Sequence, residues 1–535
     1  MGLLWREFLL PPFLNLFVFV MCKKKSMKVK LHYQKYFFFI MMFVSTETLC
    51  QTTPKNKDEV YRPQIHFSPE TNWVNDPNGM VYHKGVYHLF YQHHPYSSVW
   101  GPMHWGHATS RDLISWKHQP IAIYPDSTGT IFSGSAVVDK NNTSGFGKKG
   151  QAPLVAIYTS HNHKGEKEGR SDFQNQSIAY SNDEGKTWIK YSGNPVLKNP
   201  GITDFRDPKV MWYEPKKKWV MTLATKDRIT FYSSPDLKKW SKESEFGKEV
   251  GAHGGVWECP DLFTLDDNGK KVWVLIVSIN PGGPNKGSAT QYFIGDFNGK
   301  TFTPSHTDTR WIDYGPDNYA GITWSNTGNR KIFLGWMSNW LYAQVVPTET
   351  WRNAMTIPRE LKIKHVGKDI FIASLPVSEL SRLQSQPVSI SNLKINNRID
   401  IAGKTGKVTL PCRINLSIDT IKDFSLIVSN DVGEELIIGF DKQHNQYFIN
   451  RTKSGKIDFQ KEFAARHTAP RFTNNNKMNI SLIIDVSSVE LFADDGLSVM
   501  TEVFFPNKLY NQVHIQSSES ILIKKLEYIS LKSNR

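Results

Sequence analysis

Ser110-Arg111-Asp112-Leu113-Ile114-Ser115-Trp116 returns in outline twice more along the chain. Ser181-Asn182-Asp183 is followed by Trp188, and Ser234-Pro235-Asp236 by Trp240. Each copy is a Ser-x-Asp turn with an indole shortly beyond the acid, and each follows an apolar strand. One turn returning at intervals of about fifty to seventy residues signals repeated sheets, as in propeller blades. At roughly sixty residues per unit, residues 61–365 are expected to form five blades.

The flanking sequence reads the same way. Met80–Tyr82 and Val86–Tyr91 bracket the turn His83-Lys84-Gly85, and Lys209–Tyr213 and Trp219–Ala224 bracket Glu214-Pro215-Lys216. Lys271–Val277 and Lys331–Trp336 are further apolar strands, and no long amphipathic helix interrupts them. Residues 366–386 read as a linker, ending in a short helix near Ser378–Ser385. Alternation resumes over 387–535, at Phe424–Val428, Glu435–Phe440, Tyr447–Asn450, Asn479–Asp485, Ser488–Ala493 and Val513–Ser517. So many short strands predict a β-sandwich. The expected fold is all-β: a five-bladed β-propeller catalytic domain followed by a C-terminal β-sandwich.

A chain of 535 residues can build two cores. Aromatics make up 13% of it, with 16 Trp, which suits packed sheets and equally suits sugar faces stacked on indoles. The formal charge of +15 is scattered, with no basic stripe interleaved with aromatics, which argues against nucleic-acid binding. Residues 1–50 read as a signal or targeting region. Lys28, Lys30 and Lys35 precede an apolar run, Tyr36 to Val44, so the secretory signal is expected to start at Met27. That predicts a secreted, extracellular protein, with a membrane-anchored form as the alternative. Beyond residue 50 only Cys259 and Cys412 remain, so disulfides do not hold the fold together.

Three acidic residues stand in unusual settings. Asp76 lies in the turn-forming run Trp73-Val74-Asn75-Asp76-Pro77-Asn78-Gly79. Asp207 lies in Phe205-Arg206-Asp207-Pro208, where the adjacent guanidinium is expected to favour the ionised carboxylate. Glu258 sits between Trp257 and Cys259, apolar neighbours expected to raise its pKa as a general acid requires. Each motif alone also reads as a plain turn or a surface ion pair. Their wide spacing puts them on different blades, whose inner strands converge on one pit. Glycosidic cleavage needs such a set: one carboxylate to attack the anomeric carbon and one carboxylic acid to protonate the leaving oxygen.

Taken together, these boxes resemble glycoside hydrolase family 32, the invertase, inulinase and levanase family. The Trp-x-Asn-Asp-Pro-Asn-Gly box, Phe132–Ser135 (Phe-Ser-Gly-Ser), Arg206-Asp207-Pro208 and Trp257–Asp261 occur in family order, as do Trp100–Gly106 and Trp351–Leu361. Residue 353 is Asn where the family usually has Gly. The resemblance implies a retaining β-fructofuranosidase in which Asp76 is the nucleophile, Asp207 the transition-state stabiliser and Glu258 the acid/base. It also implies that Trp73, Asn75, Gln92, Trp100, Phe132, Ser133, Arg206 and Trp336 bind the substrate. Trp100 and Trp336 read equally well as core, and Trp340 is a neighbour able to take the role of Trp336. Cys259 is expected to pack beside Glu258. No metal or other cofactor is expected, since no carboxylate joins His93, His94, His104 and His107 at ligand spacing.

Tyr314–Trp324 looks more like microbial levanases and exo-inulinases than plant or yeast invertases. The expected partner is therefore a small-molecule or polymeric fructoside, with exo-hydrolysis of levan, inulin and sucrose. Invertase is the alternative, followed by fructosyl transfer and by a non-catalytic fructan-binding protein. No obligatory protein partner is evident in the sequence.

Overall fold

The computed structural model describes residues 59–535 apart from Lys149 and Lys407. The expected signal region lies outside the described residues. Among them, five sheets occupy residues 72–376, antiparallel apart from the short parallel pairing of Asn72–Trp73 with Trp351–Arg352. The innermost strands are β1 (Asn72–His83), β2 (Thr130–Val138), β3 (Phe205–Tyr213), β4 (Val256–Asp267) and β5 (Tyr319–Thr323). Each touches the next, and β5 touches β1, so the ring closes into a β-propeller.

The repeated Ser-x-Asp turn has a mechanical explanation. It joins the third strand of a sheet to the fourth. Asp112 Oδ1 accepts from the Ile114 and Ser115 backbone N–H groups, and Asp236 Oδ1 from those of Lys238 and Lys239. The indole closes the turn, Trp188 Nε1 donating to the Gly185 carbonyl and Trp240 Nε1 to that of Leu237. The fourth sheet makes the same turn with Asn298, whose Oδ1 accepts from Lys300 and Thr301 at 2.9 Å.

Part of the expected linker is sheet instead. Asp369–Pro376 pairs with Arg359–Val366 as the outer strand of the fifth sheet, and a 3-10 turn over Ser378–Leu383 follows it. Beyond that, two six-stranded sheets form the β-sandwich, its core running from Leu393 to Tyr528.

Propeller and sandwich share an interior. Ile483, Phe492 and Ile529 of the sandwich pack in one apolar cluster with Trp73, Trp336 and Met355 of the propeller. Buried ion pairs cross the same seam. Arg359 reaches Asp313 at 2.8 Å and Glu490 at 2.5 Å, and Arg451 reaches Asp317 at 2.7 Å, all fully buried. Removing one partner of a buried pair strands the other charge. Arg359→Met is therefore expected to cost about 3–5 kcal/mol, read from urea unfolding.

His66 sits between Asp485 (2.8 Å) and Glu490 (2.9 Å). Burial alone would lower its pKa, but the hydrogen bonds and charges of the two carboxylates raise it from 6.5 to about 9. A cation held more tightly in the folded state stabilises it below the unfolded pKa, and that stability is lost as pH rises through the folded one. The unfolding free energy should therefore fall between pH 6.5 and about 9, and His66→Gln should flatten that decline.

Candidate active site

All five inner strands carry a β-bulge at one level of the ring. In each, two residues face one on the neighbouring strand: Asn75-Asp76 opposite Gln92, Phe132-Ser133 opposite Thr159, and Asp207-Pro208 opposite Leu223. Cys259-Pro260 faces Val277 and Ala320-Gly321 faces Gly335 in the same way. A bulge breaks the alternation of the strand and turns side chains toward the axis. Proline is tolerated there because the ladder N–H it lacks is not needed. That accounts for Pro208 and Pro260, which are bulge residues, while Pro77 follows its bulge directly, in register with Tyr91. Asp207 (φ +64°), Cys259 (φ +46°) and Ala320 (φ +52°) adopt the left-handed conformation, uncommon for non-glycine residues and frequent at functional sites. The motifs that read as turns are bulges inside strands.

The bulges bring the three acids together. Asp76 Oδ2 accepts from Ser133 Oγ at 2.6 Å and Oδ1 from Asn75 Nδ2 at 2.9 Å. Asp207 Oδ2 accepts from the Cys259 backbone N–H at 3.0 Å, and the Asp207 N–H donates to Thr159 Oγ1 at 3.0 Å. Cys259 Sγ lies 3.5 Å from Asp76 Oδ2 and 3.7 Å from Asp207 Oδ2. Glu258 Oε1 accepts from Arg206 Nη2 at 3.0 Å and Nε at 3.3 Å, and its Oε2 accepts from the Tyr319 hydroxyl.

Burial and crowding raise the pKa of both aspartates. Burial raises Asp76, followed by the charge of Glu258, against hydrogen bonds from Ser133 and Asn75 that lower it. Asp207 is pushed up to about 7. Burial dominates, and Glu258 and Asp76 add to it against the lowering effect of Arg206. Arg206 favours the ionised form of Asp207 as expected, but burial outweighs it, and that guanidinium is shared with Glu258 and Asp204 (2.5 Å).

A carboxyl raised from 3.8 to about 7 on folding opposes stability increasingly across that range, and fully above it. Asp207→Asn is expected to stabilise the protein above pH 7 by on the order of 2–4 kcal/mol, and to leave it unchanged below pH 3.8. Urea midpoints at the two extremes check this.

The profile named "Glycosyl hydrolases family 32 N-terminal domain" matches residues 66–374, and "Glycosyl hydrolases family 32 C terminal" matches 379–530. The chain belongs to glycoside hydrolase family 32. It is 47% identical over 488 residues to a levanase of Bacillus subtilis, covering 89% of this chain and 71% of that protein. It is 40% identical over 489 residues to an extracellular exo-inulinase of Aspergillus niger, covering 84% and 91%. The crystal structure of exo-inulinase from Aspergillus awamori superposes with a TM-score of 0.82 at 35% identity, covering 90% of this chain and all of that one.

This family 32 hydrolase departs from its sequence reading at several side chains. Glu258 is not in an apolar pocket. Trp257 points the other way along the strand, fully buried, its Nε1 on the Ala252 carbonyl, while Arg206 and Tyr319 hold the carboxylate. Cys259 serves Asp76 and Asp207 instead of Glu258. Trp73 and Trp336 are fully buried, Trp73 stacked on Trp340 at a ring-centroid distance of 5.9 Å and Trp336 tilted against it at 4.9 Å. The ring of that cluster left partly open is Trp340. Trp73 acts at one remove, its Nε1 holding Asn75 Oδ1 (2.7 Å), and Asn75 in turn holds Asp76. Gln92 donates to Asn78 (2.7 Å) beside the Asp76 bulge. Trp100 and Phe132 are partly exposed and meet edge to face at 6.1 Å.

Asn353, in the place of the usual Gly, has φ +71° and donates to the Val74 carbonyl at 3.2 Å, bracing β1 beside Asp76. Asn tolerates that conformation better than most residues. Tyr319 and Asp204 were not singled out from the sequence. Tyr319 sits beside a Gly-containing bulge like those of the acids, which was the available signal.

His93, His94 and His104 each place Nδ1 on a backbone carbonyl. Among the described residues the histidines grouped with an acid at ligand distance are His161 and His163, with Glu166. His161 stacks on Phe132 at 4.1 Å. Gln174 Oε1 accepts from the Phe205 N–H at 2.8 Å, so its amide nitrogen faces His161 Nδ1 as donor. That leaves the His161 proton on Nε2, pointing at Glu166 (3.0 Å). A metal ligand donates from its other ring nitrogen. The group is a hydrogen-bonded rim beside Trp100 and Phe132.

Proposed function

We propose that this protein is a secreted, retaining exo-β-fructofuranosidase that trims terminal fructosyl units from levan or inulin and also hydrolyses sucrose. The observation that carries the reading is the meeting of Asp76 and Asp207 at Cys259 Sγ, with Glu258 the residue just before that bulge.

Asp76 has the hydrogen bonds that favour a carboxylate, from Ser133 and Asn75, and it is partly open to the pit. It attacks the anomeric carbon of the terminal fructosyl unit. Glu258 gives its proton to the departing glycosidic oxygen, leaving an ester between Asp76 and fructose. Glu258, now ionised, takes a proton from water, whose oxygen attacks the same carbon. Fructose leaves and both acids return to their starting states. Asp207 holds fructose hydroxyls and offsets the positive charge developing at the ring. Arg206 and Tyr319 hold Glu258 in place through the cycle. Trp100, Phe132 and Trp340 supply the ring faces for the sugar.

Among the described residues no helix is long and apolar enough to cross a membrane. Secretion is supported by the basic-then-apolar leader beginning at Met27. Initial rates of fructose release from levan, inulin and sucrose test the substrate choice. A sucrose rate far above both polymers would make the protein an invertase.

A further inference from the structure

A large cavity lies away from the acids. It has a volume of about 730 Å³ and is lined by the C-terminal halves of β2, β3 and β4 and by the residues following β5. The acids sit toward the N-terminal ends of those strands, so this cavity is the rear mouth of the propeller. Its size falls within the range of about 300–1,000 Å³ typical of ligand sites.

The two mouths are separated by a plug. Lys209 pairs with Asp261 at 2.9 Å and donates to the Thr323 carbonyl at 2.6 Å, both side chains buried. A small void under Asp207 and Cys259 also ends on Lys209. A ligand at the rear cannot reach the acids along the axis.

The chemistry of the lining favours a neutral polyol. Trp212 and Tyr213 follow one another on β3, and Trp273 on the adjacent sheet faces Tyr213 at 6.0 Å. Both indoles are partly exposed. The carboxylates are already engaged: Asp261 by Lys209, Glu214 by Lys217 and Trp212, and Asp139 by Thr143 and Ser144. Of these acids only Asp261 Oδ1 is without a hydrogen-bond partner, and it is buried on a carboxylate already paired with the Lys209 ammonium, which disfavours a cation there. Lys331 reaches only the Gly328 carbonyl, at 3.4 Å, and Lys271 is exposed, so two ammonium groups remain as donors. Ring faces beside spare donors suit a sugar, whose C–H face stacks on indole while its hydroxyls accept hydrogen bonds.

We propose that the rear cavity is a second carbohydrate site, which holds an internal stretch of a fructan while chain ends enter the pit at the other mouth. The proposal rests on the fructan reading above. Tethering raises the local concentration of ends only for a polymer long enough to pass from one mouth to the other. The benefit therefore falls on long levan and is absent for sucrose.

The test compares KM for high-molecular-mass levan and for sucrose in the parent and in Trp212→Ala/Trp273→Ala. The levan KM is expected to rise about tenfold while the sucrose KM stays within about twofold. Lys271→Ala, at an exposed position where folding is not at stake, should raise the levan KM about threefold, again with sucrose unchanged. An unchanged levan-to-sucrose ratio in both variants overturns the proposal. So does sulfate raising the melting temperature of the parent but not of Lys271→Ala with that ratio unchanged, which would make the cavity an anion site. A parent inert on both substrates rejects the fructoside reading itself, a result distinct from turnover with an unmoved ratio.

Discussion

Asp76→Asn is expected to lower kcat on every fructoside by on the order of 10⁵-fold, roughly 7 kcal/mol of barrier. An amide is a poor nucleophile, and no other carboxylate stands in the same place: Asp207 is tied to the Cys259 N–H and Glu258 to Arg206 and Tyr319. The fold should be undisturbed. The Asn carbonyl can still accept from Asn75, and its NH₂ can donate to Ser133 Oγ, which accepts as readily as it donates. Initial rates on sucrose and levan, with a melting curve matching the parent, check this. Turnover above about 1% of the parent's would move the nucleophile elsewhere.

Glu258→Gln should show a loss that depends on the leaving group. On sucrose or levan, whose leaving oxygens need a proton, kcat/KM is expected to fall on the order of 10³–10⁴-fold. On p-nitrophenyl β-D-fructofuranoside, which departs unprotonated, the ester should form at close to the normal rate and then persist, because no base activates water. Azide, a nucleophile needing no base, should restore turnover on the activated substrate and not on sucrose. Equal losses on all substrates would mean that Glu258 acts by position or charge instead of by proton transfer.

How far the sequence could be read depends on which interactions are local. The Ser-x-Asp-Trp turns close within about six residues, so their recurrence was visible, and with it the repeated sheets. Asn298 performs the same turn without the Asp-Trp signature and was missed. The acids were legible because bulges impose their own composition: Pro77, Pro208 and Pro260 mark positions with no ladder N–H to give. What the sequence concealed was direction. In a regular strand Trp257 and Cys259 would share a face opposite Glu258, and the bulge at Cys259-Pro260 sends the sulfur to Asp76 and Asp207 instead. The state of Asp207 was misread for a related reason. Arg206 is adjacent in sequence and does lower the pKa of Asp207, but the burial that outweighs it, and the charges of Glu258 and Asp76 that add to it, come from strands about 50 and 130 residues away. Family position gave Trp73 to the substrate and left Trp336 open between substrate and core, and the packing of three indoles places both in the core.

The account stands on a carboxylate of β1 bonding to the sugar. Glu258→Gln should be mixed with p-nitrophenyl β-D-fructofuranoside, quenched within the burst, and the intact protein and its peptides weighed. A mass gain of one anhydrofructose unit on the peptide containing Asp76, absent from Glu258→Gln/Asp76→Asn, is the predicted result. An adduct on Asp207, or a burst of p-nitrophenol with no adduct, would contradict it.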